Sequence, residues 1–337
     1  MANLNGLGSR LVPTQLNRAG VDLRTMIQRN ATELATGKSS EPSQKLRGET
    51  GSLHAIEARI SRIAGQDQVL LAFGQRLETV GVVVGQIGDL HERLRGATIQ
   101  AASAEAPSGV LDRLGALGRQ SLEDMISVLS RSHAGHTLLS GDRPDRQPLV
   151  SAETMLQAAA SAMIGATSAQ DVAQRVAELF FEPGGLFETS FYTGGAPVPV
   201  PAATLDGGMI TPPTAADPAL RGALASAVLV AMIGAGDILS PIEVRRDMAR
   251  LAARSQVGTT ESLIDLRASL GLAETSVDDR RARLTAEREA LELAREAKIG
   301  VDPYEAAIRL EDARVRLEAV LLVTTRVSRL SLTEFLR

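Results

Sequence analysis

DPYEAAIRLEDARVRLEAVLLVTTRVSRLSLTEFLR, residues 302–337, decides how the rest of the chain is read. Asp302 can cap the first free backbone N–H groups, Pro303 suits the first helical turn, and Glu305 completes a capping-box pattern. A helix therefore starts here. Along it Ala306, Leu310, Ala313, Leu317, Val320, Thr324, Val327 and Ser331 recur at alternating steps of four and three, the seam spacing of helices that wrap around each other. A second apolar line, Ile308, Val315, Leu322 and Phe335, broadens the stripe, so cover on more than one side is expected. Leu330, Leu332, Phe335 and Leu336 keep the end apolar; chain ends ordinarily fray, and an apolar one predicts docking.

Working outward, Ser240-Pro241-Ile242-Glu243 is a second capping box, opening a helix to about Val257. Beyond it Leu263, Leu266, Leu270, Ala273, Val277, Leu284 and Leu291 continue at near-heptad spacing until Gly300 closes the rod. On the far flank Leu53, Ile56, Ile60, Ile63, Asp67 and Leu70 follow the same spacing. After one shortened step it resumes as Phe73, Leu77, Val80, Val84, Ile87, His91, Leu94, Thr98 and Ala101. This predicts a second long rod over Leu53–Ser103, the alternative being two helices broken near Gly74. Gly74, Gly81, Gly85 and Gly88 lie inside it, each costing roughly 1 kcal/mol in a helix, so close packing is expected to offset them. The most economical partner for residues 302–337 is this rod. Pro107-Ser108 opens a third helix, to about Ser132.

Between the rods the composition changes. Gly135, Gly141, Pro144 and Pro148 forbid a continuing helix. Short helices are expected over Ala152–Ile164 and Ala169–Phe181, strands over Leu186–Tyr192 and Val198–Val200, and a helix opened by Asp217-Pro218. That helix carries the apolar run Ala223–Gly236, 14 residues against the ~20 of a membrane span, and reads as buried. The expected division is a segment 1–40, partly disordered until assembled, with a polar loop over Gly37–Gly51; rod halves 41–144 and 239–300; a small mixed α/β insert 145–238; and an assembly helix 301–337. The fold class is mainly α, an elongated antiparallel coiled coil or helical bundle formed by the N- and C-terminal segments.

Composition narrows the function. With 44% apolar residues and a net charge of −4 the chain folds, yet aromatics are 2% and tryptophan is absent, which favours thin helices over a compact enzyme core. No cysteine exists, excluding disulfides and thiolate sites. Lys plus Arg number 36 against 40 Asp plus Glu, so no nucleic-acid partner is expected. MANLNGLGSRLVP, at the start, lacks the continuous apolar core of a secretory signal. Of the four histidines, His133-x-x-His136 has no third ligand nearby and His91 sits on a seam; His54 stands alone. Gly6-Leu7-Gly8 has no preceding strand, and Ser140-Gly141 lacks a nucleophile's strand-turn-helix setting. No catalytic residue, cofactor, metal or membrane contact is expected.

Glu33-Leu34-Ala35-Thr36-Gly37-Lys38, Thr79–Ser103 and the closing Val327-Ser328-Arg329-Leu330-Ser331-Leu332 with Phe335-Leu336 resemble segments of the flagellin family. Gly135–Gly141, GHTLLSG, with Pro148 after it, is similar to a stretch of that family's hook–filament junction branch, with leucines in place of rings. The resemblance covers about 1–140 and 240–337. It implies a secreted structural subunit that joins hook to filament, exported by the flagellar type III route and acting in motility. Its partners would be copies of itself, an adjacent hook-associated protein, flagellin and an export chaperone. Seam residues would then serve as the site: Leu310, Leu317, Val320, Val327, Leu330, Leu332, Phe335 and Leu336, with Ile60, Ile63, Leu77, Val84, Ile87 and Leu94. A filament flagellin, and in another class a cytosolic coiled-coil scaffold or regulator, stay open as alternatives.

Overall fold

The computed structural model describes residues 5–102, 105–133, 135–199, 209–235 and 241–335, with side chains placed outside 5–13 and 328–335. The fold is mainly α, as the heptad spacing leads one to expect. In chain order the elements are α1 (Asn5–Thr36), α2 (Pro42–Lys45), α3 (Gly51–Ala101), α4 (Ser108–Leu129), β1 (Ser132–His133) and β2 (His136–Thr137). Then follow α5 (Ala152–Ala162), α6 (Ala169–Phe181), a π-helical turn (Phe187–Phe191), α7 (Pro218–Ile233), α8 (Ile242–Ile299) and α9 (Pro303–Phe335). They divide into an end unit, Met1–Gln66 with Leu284–Arg337, and a middle unit, Asp67–Arg283.

In the end unit α9 packs along α1, and this corrects the partner inferred from sequence. The Leu53–Ser103 rod, for its part, pairs with α8. Within the end unit Arg59 Nε donates to Glu287 Oε1 at 2.6 Å. Within the middle unit Arg281 reaches Asp67 at 3.0 Å, and Thr260 Oγ1 donates to Glu92 at 2.8 Å. Partner numbers fall on α8 as they rise on α3, so the pair is antiparallel. Leu263, Leu270, Val277 and Leu284, spaced by exactly one heptad, are all buried on α8. The rod α3 is continuous through Gly74, where Val277 Cγ1 of α8 packs 3.5 Å from where a Cβ would stand.

Caps mark the helix ends read from sequence. Asp302 Oδ1 accepts from Tyr304 N–H at 2.8 Å, Asp217 accepts from Ala219 N–H, and Ser168 accepts from Asp171 N–H. The cap at Ser240 lies outside the described residues. The Gly37–Gly51 loop is ordered by the short α2 and by left-handed backbone at Gly37, Arg47 and Gly48.

The middle unit is built around α7, every residue of which from Ala223 to Ile233 is buried. It packs on α4, α5 and α6. Gly118 lets the backbones of α4 and α7 touch: a Cβ there would lie 2.5 Å from Ala231 N. Arg245 closes the C-terminal end of α7, donating to Ile233 O at 2.6 Å while pairing with Asp112 at 2.5 Å. Leu186–Tyr192, expected as a strand, forms the π-helical turn instead. Phe187 and Phe191 lie four apart, a helical period, and both rings turn in against Phe180 with centroids 5.6 and 5.7 Å away. Val198 and Pro199 are irregular, and Val200 lies outside the described residues.

Candidate assembly surface

The seam of α9 grows shallower along its length. Ala306, Leu310 and Ala313 are buried, whereas Leu317, Val320, Thr324 and Val327 are half-buried. The facing helix α1 supplies buried Asn30 and Glu33 and half-buried Leu16, Leu23 and Ile27. Leu330, Leu332, Phe335 and Leu336 lie outside the residues whose side chains are described. A two-helix pair covers one side of each helix, so the second apolar line of α9 is left over. Ile308, Val315 and Leu322, seven residues apart, are 52, 56 and 59% exposed. Leu321 and Val323 flank them, also exposed, and α1 adds Val21 and Met26.

At the base of this pair the chain's two ends are tied. Gly37 N–H closes α1 on Glu33 O at 2.8 Å, with φ of +67° favouring glycine. Ser39 N–H donates to Ile299 O and Val301 N–H to Gly37 O, both at 2.8 Å. The Glu33 carboxylate accepts from Ser40 N–H at 2.9 Å and stands 3.7 Å from Arg309. Arg29 pairs with Glu41, and Lys45 donates to Gly300 O. These groups line a hollow of about 510 Å³ carrying both signs of charge. They fix the turn from which α1 and α9 both depart.

On α3, Ile63, Leu77, Val84, Ile87 and Leu94 are buried and Ile60 is half-buried, so these seam residues sit inside the chain's own core. Around them charge is paired off. The Arg95 guanidinium bonded to Glu92 holds that carboxyl below its ordinary range. Burial is the largest influence on Asp217, at the head of α7, and pushes its carboxyl up. His133 and His136 face each other across β1 and β2 with both side chains exposed. Among the described residues no three His, Cys, Asp or Glu gather as metal ligands, and no helix is long and apolar enough to cross a membrane.

The GHTLLSG stretch has a structural reason. Leu138, Leu139 and Ser140 are buried, and Ser140 Oγ donates to Arg146 O at 2.8 Å. Gly141, at φ +63°, has Ala196 O 2.4 Å from where a Cβ would sit, so only glycine fits. The sequence reading missed α1 as the partner of α9. The signal was present in Leu16, Leu23, Ile27 and Asn30, whose steps of seven, four and three match the seam, interrupted by polar Asn30.

No family model matches this sequence, and no curated protein does. Among solved structures, the crystal structure of FlgL from Bacillus cereus is 14% identical, covers 72% of this chain and 99% of its own, and superposes with a TM-score of 0.49. The structure of a putative flagellar hook-associated protein from Vibrio parahaemolyticus is 12% identical, covers 73% of this chain and 95% of its own, and superposes with a TM-score of 0.53. The fold is therefore shared with that hook-associated protein across nearly its whole length.

Proposed function

We propose that this chain is a flagellin-family structural subunit of the bacterial flagellum, joining hook to filament through coiled-coil self-assembly of its terminal helices. The observation that carries the reading is the apolar line Ile308, Val315 and Leu322, exposed at heptad spacing on a helix whose other side is occupied by α1. The fold shared with a putative hook-associated protein supports the same reading. Assembly buries that line against copies of the chain, with the apolar end of the helix, Leu330, Leu332, Phe335 and Leu336, extending it and Val327 continuing the seam shared with α1. The location is extracellular, in the flagellum. Partners are further copies, an adjacent hook-associated protein and flagellin, with a chaperone during type III export. The role is structural and not enzymatic.

Deleting residues 327–337 tests this. The expected product is a folded protein that no longer assembles, in cells whose hooks remain without filaments by electron microscopy. Normal filament growth from the truncated chain would overturn the reading. Purified full-length protein that propagates alone into long filaments would replace the junction role by that of a filament subunit.

A further inference from the structure

One titratable group in the core is used by nothing described so far. His91, on α3, is fully enclosed, with no exposed surface. Its Nε2 lies 3.2 Å from Gln256 O on α8, and since a carbonyl only accepts, Nε2 carries the proton. Its Nδ1 has no partner. Gln256 is equally enclosed, and its Nε2 donates to Ser226 Oγ on α7 at 3.0 Å and to Thr98 Oγ1 on α3 at 3.4 Å. One histidine and one glutamine thus tie three helices of the middle unit at a single level.

We propose that this cluster is a pH-sensitive joint: it locks α3, α7 and α8 together while the imidazole is neutral and loosens when the ring takes up a proton. A proton arriving at Nδ1 creates a buried cation whose new N–H points at no acceptor. The surrounding charges do not relieve it. On α3, Glu92 is bonded to Arg95 at 2.9 Å, so the two fields offset each other, and Asp89 is exposed. On α8, Arg267 lines the same 260 Å³ hollow as His91, opposite Asp89 and Glu92 of α3, so that hollow carries both signs of charge. On α7, Arg221 is engaged by Glu188 at 3.1 Å. Burial accordingly holds the imidazole below its ordinary value. A lowered folded-state value means that the unfolded chain binds the proton first. Stability is then complete above about pH 6.5 and falls as pH drops through the interval below it.

The test compares urea unfolding of the full chain and of His91→Gln between pH 5 and 8, with the three other histidines kept as controls. Glutamine can still donate to Gln256 O and does not titrate. The expected result is that the wild-type unfolding constant rises relative to the variant by up to about tenfold per pH unit below pH 6.5. Hydrogen exchange at the Val228–Ile233 amides should quicken over the same interval in the wild type alone. Parallel pH profiles for the two proteins would overturn the proposal. If the variant does not fold, the His91 ring resonances of the native protein decide: a midpoint depressed below 6.5 supports the joint, and an unshifted or raised one overturns it.

Discussion

Helices α7 and α9 are both rich in aliphatic residues, yet they meet opposite fates. In α7 the apolar side chains point all round the helix and α4, α5 and α6 meet them, so Ala223 through Ile233 are buried without exception. In α9 the apolar residues form two lines and α1 answers only one of them. The lesson is that apolar content sets how much cover a helix wants, whereas the neighbours supplied by the chain set how much it receives. What is unmet on α9 is available to another molecule.

The largest effect should come from intruding on α7. Gly118→Val places atoms where the Ala231 backbone already stands, and is expected to cost at least about 3 kcal/mol, measured by thermal or urea unfolding. Next, Leu224→Ala, at a fully buried site on α7, should cost about 2–5 kcal/mol. The matched change on α9, Leu322→Ala, should move stability by less than about 0.5 kcal/mol, because the side chain is 59% exposed. The triple variant Ile308→Ser, Val315→Ser, Leu322→Ser should then fold normally and fail to assemble, read by sedimentation and by electron microscopy. Equal destabilisation by the α7 and α9 leucine changes would erase the contrast. The smallest effect belongs to Arg316→Gln, which removes an exposed pair with Asp312 at 2.8 Å and should be nearly silent.

The long rods were legible because their seams hold heptad register for many turns, and the caps at Asp302 and Asp217 were legible because one residue type suffices. The π-helical turn was not. Five residues, FETSF, are too few for periodicity to separate alternation from a single helical turn, and the aromatic cluster that decides it draws Phe180 from another element. The pairing of α9 was mistaken for a related reason. Heptad spacing states that a partner exists without naming it, and α3 and α1 both carry acceptable seams. In the fold the α3 seam is met by α8, whose Leu263, Leu270, Val277 and Leu284 are buried. The exposed line of α9 was visible as a second stripe, but that it stays uncovered follows only from the fold.

The bond from Lys45 to Gly300 joins positions 255 residues apart, and its neighbours at Gly37 and Ser39 do likewise. Contacts of that span close an enormous loop, an entropic toll that grows with the logarithm of its length. The middle unit lies within one uninterrupted segment, and its own long ties, such as Arg281 to Asp67 across 214 residues, can close once residue 283 has arrived. Time therefore enters the architecture: a chain emerging from its N-terminus can complete the middle unit first, while the end unit must wait until residues beyond 300 have arrived. The helices bearing the unmet apolar line are consequently the last to find each other.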